Sequence, residues 1–416
     1  MGLIKMSEKS SYNMLENILE PQGDNFTPPS RTPWGGYRIV EKYKRAQGIN
    51  YDEIVGESWE ISGHPSFPNI FINEDGEKVS ILDLEKQRPQ DIYGSNNTKM
   101  PFLLKLLNSG SWQDARQRLQ HILEAYDISI LAPKTLSKLN INSWEDLLNK
   151  NNHELHCALK IVADEIGDDG ISTLHQDMLS KNLSVQVHPK KGDYPDKPSK
   201  TEAWLILETE KGSGIYLGLK ENISQEKFSK AMADEEDLSI YLNFVEVRQG
   251  EVYFIPSGTM HAIGAGLLLL EPQETSETTF RAYDWGRLQN DKPRQLHIKE
   301  TVKVNNWDDR RGSSLIKKLR LKPKNSQGHY QQLLESDEFQ IFRLKFKNIN
   351  ESQSFDTQKT KLHGWIVTEG SAEIYTQNNP DNKKIFASGQ SIIIPAKLGK
   401  YTIRALASHT VLIEAT

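Results

Sequence analysis

The sequence predicts a mainly β protein of two related barrels, with an α-helical segment inserted into the first. Three observations carry that reading. Short apolar runs broken by Gly, Pro and Asn fill the stretches from Trp34 to Leu107, from Leu183 to Glu271 and from Phe339 onward, the pattern of strands and turns. A Gly-x5-Pro string with a β-rich filling occurs twice, at Gly250–Pro256 and at Gly389–Pro395. Between residues 108 and 182 the apolar spacing changes to that of helices.

Taken in order, residues 1–30 are polar and carry Pro28-Pro29, which reads as a mobile or loosely docked arm. Residues 31–107 and 183–300 form the first barrel domain, and Thr98–Leu107 ends in an apolar block expected to be a buried strand. In the insertion, Trp112, Ala115, Leu119, Ile122, Leu123 and Tyr126 fall on one helical face. A second helix is capped by Ser143, with Asp146 three residues on. A third carries Leu155, Leu159, Val162 and Ile166 and stops at Gly167. A further helix is expected between Leu296 and Asn305, and residues 301–416 form the second barrel domain.

With 416 residues, 37% hydrophobic and 26% charged, the composition is that of a soluble globular chain long enough for two domains. With a net charge of -5 and no domain-scale basic stripe, nothing calls for nucleic acid, and no nucleic-acid partner is expected. No apolar run approaches the roughly 18 residues of a membrane helix. Met1–Ser10 lacks the apolar core of a signal peptide, and Met6 stands where a myristoylation signal wants Ser or Thr. The single cysteine, Cys157, excludes an intrachain disulfide, so a reducing cytoplasm is the expected location.

Four residues read as one metal site. On an extended strand Gln186 and His188 share a face, and Pro189 ends that strand. Glu202 opens the apolar run Ala203–Leu207, where a carboxylate is costly unless paired or metal-bound. His261 follows the tight turn Pro256-Ser257-Gly258. One amide oxygen, two imidazoles and one carboxylate suit a borderline divalent cation such as zinc. Lys400 stands in the second string where His261 stands in the first, so the second barrel is expected to be a metal-free packing domain. His153-Glu154-Leu155-His156 lacks zinc-protease spacing, because Cys157 takes the position of the second histidine.

Gly250–His261 resembles the second motif of the cupin superfamily. Gln186-Val187-His188-Pro189, Lys200-Thr201-Glu202 and Thr279–Asp284, with Trp34-Gly35-Gly36 and Gly56–Pro65, are together similar to the type I mannose-6-phosphate isomerases. The resemblance covers residues 30–107 and 183–416 and implies two cupin, or jelly-roll, barrels. It implies Gln186, His188, Glu202 and His261 as ligands of one zinc ion, with other divalent cations able to fit. It implies Lys200, Glu271 and Arg281 as catalytic groups, with Trp34 and Glu57 facing the substrate. Lys190, on the lysine-bearing loop between His188 and Glu202, is expected near the substrate phosphate.

The implied activity interconverts mannose 6-phosphate and fructose 6-phosphate through a cis-enediol, in a monomer or homodimer. Lys200, beside a cation and partly buried, is expected to lose some of its preference for charge. The carbon base stays open among these groups. An iron-dependent cupin oxygenase and a non-catalytic sugar-phosphate-binding cupin are the alternatives. The first is disfavoured by Gln186 in the leading ligand place, the second by the presence of Lys200, Glu271 and Arg281. The helical insertion at 108–182 and the arm depart from the family pattern without removing a motif residue.

Overall fold

The computed structural model describes residues 14–94, positions 116–150 in part, and 173–416 except 195–196, 290, 308–310, 325–328 and 378. The strands of the first barrel are β1 (Glu57–Ile61), β2 (Thr173–Leu179), β3 (Val185–Val187), β4 (Glu202–Thr209), β5 (Gly214–Leu219), β6 (Leu242–Glu246), β7 (Val252–Ile255), β8 (His261–Ile263), β9 (Leu267–Gln273), β10 (Phe280–Tyr283) and β11 (Arg320–Leu321). They form a six-stranded sheet ordered β1-β2-β9-β4-β7-β11 and a five-stranded sheet ordered β10-β3-β8-β5-β6. Strand parity sorts their side chains. On β4, Trp204 and Ile206 enter the barrel core with Leu217, Ile255 and Leu269, while Ala203 and Leu205 face the other way.

The second barrel repeats this plan with β12 (Tyr330–Glu335), β13 (Gln340–Phe346), β14 (Ser352–Asp356), β15 (His363–Glu369), β16 (Ser371–Thr376), β17 (Asn379–Ala387), β18 (Ser391–Ile394), β19 (Lys400–Ala405) and β20 (Thr410–Ala415). Its sheets are ordered β12-β13-β20-β15-β18 and β14-β19-β16-β17, the same path as in the first barrel. The two Gly-x5-Pro strings are β7 and β18 with the turns before them. Glu202 pairs with Ile255 as His363 pairs with Ile394. The large sheets of the two barrels meet through Leu205 and Leu270 on one side and Ile341, Ile366 and Ile413 on the other.

Several expectations change. The arm is docked over its described part: Met14, Leu15, Ile18 and Leu19 are buried, and Leu19 exchanges backbone hydrogen bonds of 2.9 Å with Ile393 of β18. Its polar composition hid a short apolar stripe that completes the inter-barrel core. The stretch read as helical to residue 182 ends in a strand, because β2 pairs on both edges between β1 and β9. The first barrel also runs past residue 300. Leu315 and Leu319 of a helix at Gly312–Leu319, which the sequence reading missed, join its core, and β11 pairs with β7.

Other elements match. Ser143 and Asp146 form a full capping box on a helix at Trp144–Leu148, Leu119 and Leu123 are helical and buried, and the expected later helix spans Ile298–Val304. The expected strand at Thr98–Leu107 and the helix through Leu155–Gly167 lie outside the described residues, as does the His153–His156 cluster. No helix among the described residues is long and apolar enough to cross a membrane.

One buried ion pair ties the barrels together. Lys44 Nζ lies 2.7 Å from Glu60 Oε1 on β1 and donates to Gly389 O at 3.2 Å. Ser391 of β18 donates to Glu60 Oε2 at 2.6 Å. Removing one partner strands the other charge inside the protein. Lys44→Met is expected to cost about 3–5 kcal/mol, read as a fall in the urea midpoint. The Lys44→Met/Glu60→Leu pair is expected to recover part of that loss. A double variant as unstable as the single one would count against the pair as a buried charge staple.

Candidate metal centre

The centre lies where β3, β4 and β8 meet. Val185 and Val187 pack into the helix-covered side of the five-stranded sheet, which turns Gln186 and His188 inward. His261 pairs in register with Gln186 across β8 and β3. Gly258 shapes the turn before β8 with φ +83°, and a Cβ there would fall 2.3 Å from Lys190 Cε. The Gly258 N–H also donates to His188 O at 2.9 Å, which holds the turn beside β3.

His188, Glu202 and His261 are all buried, with ligand atoms within 4.8 Å of one another. His188 Nε2 is 3.1 Å from Glu202 Oε1, and His261 Nε2 is 3.5 Å from Glu202 Oε2. The other ring nitrogens settle the tautomers. His188 Nδ1 lies 2.8 Å from Thr278 O, and His261 Nδ1 lies 2.8 Å from Thr259 O. A carbonyl only accepts, so each Nδ1 carries the hydrogen and each Nε2 keeps its lone pair. Burial pulls the His261 pKa down to about 4, keeping that ring neutral.

Two lone pairs and a carboxylate therefore converge in a buried space. His188 Nε2 and both Glu202 oxygens have no hydrogen bond of ordinary geometry. That donor set fits a divalent cation. Gln186 completes it in part: its amide nitrogen lies 3.4 Å from His261 Nε2, and half a turn of the amide would present its oxygen there.

A cleft of about 510 Å³ opens beside the cluster. Of the residues expected there, Trp34, Glu57, Gln186, Lys200, Glu271 and Arg281 line it. Lys190 does not, since its side chain packs against Gly258 and its backbone N–H donates to Asp193.

Lys200 ion-pairs with Glu202 and lies 3.6 Å from Glu271 Oε1. Burial works against its charge, yet Glu202 and Glu271 outweigh burial and raise its pKa, the reverse of the expected direction. Burial would push the Glu202 carboxyl up, but Lys200 and the two imidazoles hold it well below the usual carboxylate range. Burial and the nearby Glu202 charge push Glu271 up to about 8, and the Trp204 indole donates to it at 2.8 Å. Burial also raises Glu57, whose carboxylate accepts from Thr27 at 2.7 Å.

Asp284 does not pair with Arg281. It takes Arg287 and, through both oxygens, Arg294, at 2.6 Å and 2.7 Å for the latter. Arg281 donates to Gln295 O at 3.0 Å, and its pKa is lowered by burial and by the Arg294 charge. Arg31, Glu277, Gln289 and Arg294 are cleft residues that the sequence reading missed. Only the basic run Arg287–Arg294 hinted at them, and nothing local marks Arg31.

Two barrels of one topology, with a His–Glu–His cluster at the heart of the first, place the chain among the metal-binding cupins. No protein-family model matches the chain. It is 30% identical over 230 residues to the probable mannose-6-phosphate isomerase GmuF of Bacillus subtilis, covering 53% of this chain and 68% of that one. It is 25% identical over 278 residues to the mannose-6-phosphate isomerase of Streptococcus mutans, covering 65% of this chain and 63%, less than two thirds, of the relative. The chain belongs to the mannose-6-phosphate isomerase family.

Two crystal structures share the fold over 96% of this chain and 98% of theirs. One is the mannose 6-phosphate isomerase of Bacillus subtilis, at 19% identity and a TM-score of 0.64. The other is a zinc-bound mannose 6-phosphate isomerase, at 14% identity and a TM-score of 0.62.

The hydrogen-bond pattern predicts the tautomers. Nitrogen NMR of the histidine-labelled, metal-free protein should show the Nδ1 hydrogen on both His188 and His261, and a neutral ring for His261 at neutral pH, assigned with His188→Gln and His261→Gln variants. Nε2-protonated rings would contradict the lone-pair geometry.

Proposed function

We propose that the protein interconverts mannose 6-phosphate and fructose 6-phosphate at this cleft, with one zinc ion held by His188, Glu202, His261 and the Gln186 amide oxygen. The observation that carries this reading is the buried His–Glu–His cluster opening on a cleft that also holds Lys200, Glu271 and Arg281. Family membership supplies the reaction class, and a zinc-bound member of the fold supports the metal. Zinc, when bound, acts as a Lewis acid that polarises the sugar oxygens.

The rest falls to the chain's own side chains. Isomerisation moves a proton between C1 and C2 by way of a cis-enediol and another between O1 and O2. Lys200 and Glu271 are adjacent proton carriers with their shifts in the same direction, upward, so both hold protons near neutrality. Glu271, pushed up only to about 8, keeps an ionised fraction near neutrality, and that carboxylate is suited to take the carbon proton and return it to the neighbouring carbon. Lys200 is suited to donate toward oxygen. Arg281 stays charged and stabilises developing oxyanion charge. Trp34 and Glu57 wall the cleft and position the sugar, with Thr27 fixing the Glu57 carboxylate.

Conversion of mannose 6-phosphate by the purified protein should vanish on chelation and return with zinc. Glu271→Gln and Lys200→Met should each lower kcat by roughly 10²–10⁴-fold while zinc content holds. Stoichiometric zinc without turnover would defeat the isomerase reading.

A further inference from the structure

Four cations line the cleft: Arg31, Lys200, Arg281 and Arg294. Two of them are committed to buried or part-buried carboxylates and a third to a backbone carbonyl. Lys200 lies between Glu202 and Glu271, Arg294 spends a bidentate fork on Asp284, and Arg281 donates to Gln295 O. Arg31 differs. Its Nη2 meets Glu277 Oε1 at 2.8 Å, and the two side chains are 52% and 37% exposed. An ion pair in such contact with water contributes little, so another oxyanion displaces Glu277 at small cost.

The backbone that carries Arg31 is nonetheless held in place. Its N–H donates to Pro28 O at 2.9 Å, and Ser30 O accepts from Gln289 Nε2 at 2.6 Å. The guanidinium lies 5.3 Å from the centre of the Phe67 ring, which limits where the side chain swings. A planar fork on a fixed base at the cleft wall matches a phosphate geometrically. Glu277, left behind, faces solvent and needs no new partner.

We propose that Arg31 is a substrate-binding residue that exchanges Glu277 for the phosphate group of the ligand, and that this exchange selects sugar phosphates over neutral sugars. The inference rests on the reading of the cleft as a sugar-phosphate site. It gives the segment before Trp34 a direct part in recognition, and it makes Glu277 a competitor that the dianion must displace.

The test uses the zinc-loaded full chain and two readouts, calorimetric binding of inorganic phosphate and steady-state kinetics with mannose 6-phosphate. Arg31→Ala is expected to weaken phosphate binding and raise KM by roughly 10- to 100-fold, with kcat close to wild type. Arg31→Lys should recover part of the loss. Glu277→Gln should tighten phosphate binding a few-fold.

A purely structural role would shift the melting temperature of Arg31→Ala without singling out phosphate affinity. Phosphate affinity and KM unchanged in Arg31→Ala overturn the inference while wild-type turnover leaves the isomerase reading standing. Absence of phosphate binding by the wild type up to tens of millimolar overturns it as well. Arg31-dependent phosphate binding without any turnover supports the inference and defeats the isomerase reading instead.

Discussion

Glu202 is the constraint around which the first barrel is organised. A carboxylate buried at the mouth of an apolar strand is stable only with positive charge beside it. Lys200 supplies some of that charge from the same strand end. The two imidazoles flank it as well, each with its Nδ1 turned to a backbone carbonyl, Thr278 O or Thr259 O, and its Nε2 facing the carboxylate. The geometry is therefore electron-rich by construction. Strand register has to serve it: a slip of one residue on β3, β4 or β8 would turn a ligand into the opposite core.

The second barrel shows what the same frame becomes without that demand. His363 opens β15 as Glu202 opens β4, and Trp365 pairs with Glu414 across β15 and β20. Where the first barrel gathers ligands, here the Tyr401 hydroxyl lies 2.7 Å from His363 Nδ1 and accepts from the Trp365 indole at 2.9 Å. His363 Nδ1 also lies 2.8 Å from Glu414 Oε1. Direct contacts among these polar groups occupy the corresponding strand ends. Lys400 is exposed, and Tyr401, one residue later, is the side chain that turns inward. Matching the two strings by count therefore aligned the strands correctly but not the inward-facing residue. The barrel's large sheet packs on the first, with the arm and the Lys44–Glu60 pair closing the seam.

Charge in the cleft follows from neighbours rather than from residue type. A lysine near a metal site was expected to lose some of its preference for charge. Lys200 instead sits between two carboxylates and its pKa rises, while the same crowding lifts Glu271. Asp284, three residues from Arg281, is taken instead by Arg287 and Arg294 from the segment that follows. That leaves Arg281 at the cleft wall with its charge directed by backbone carbonyl contact.

The sequence by itself determined the residue types of the buried cluster, the strand parity that aims Gln186 and His188 together, the duplication of the barrel and the Ser143 cap. Each of these is written in spacings of a few residues, which local geometry translates directly. The tertiary structure decided the rest: the docked arm, the strand at Thr173–Leu179, the helix at Gly312–Leu319 within the first barrel's core, the packing of Lys190 beside Gly258, and the arrival of Arg31 and Arg294 in the cleft. Arg31 meets Glu277 across 246 residues of chain, and Thr278 O reaches His188 across 90. Contacts over such separations exist only once the sheets have closed, and no local pattern carries them.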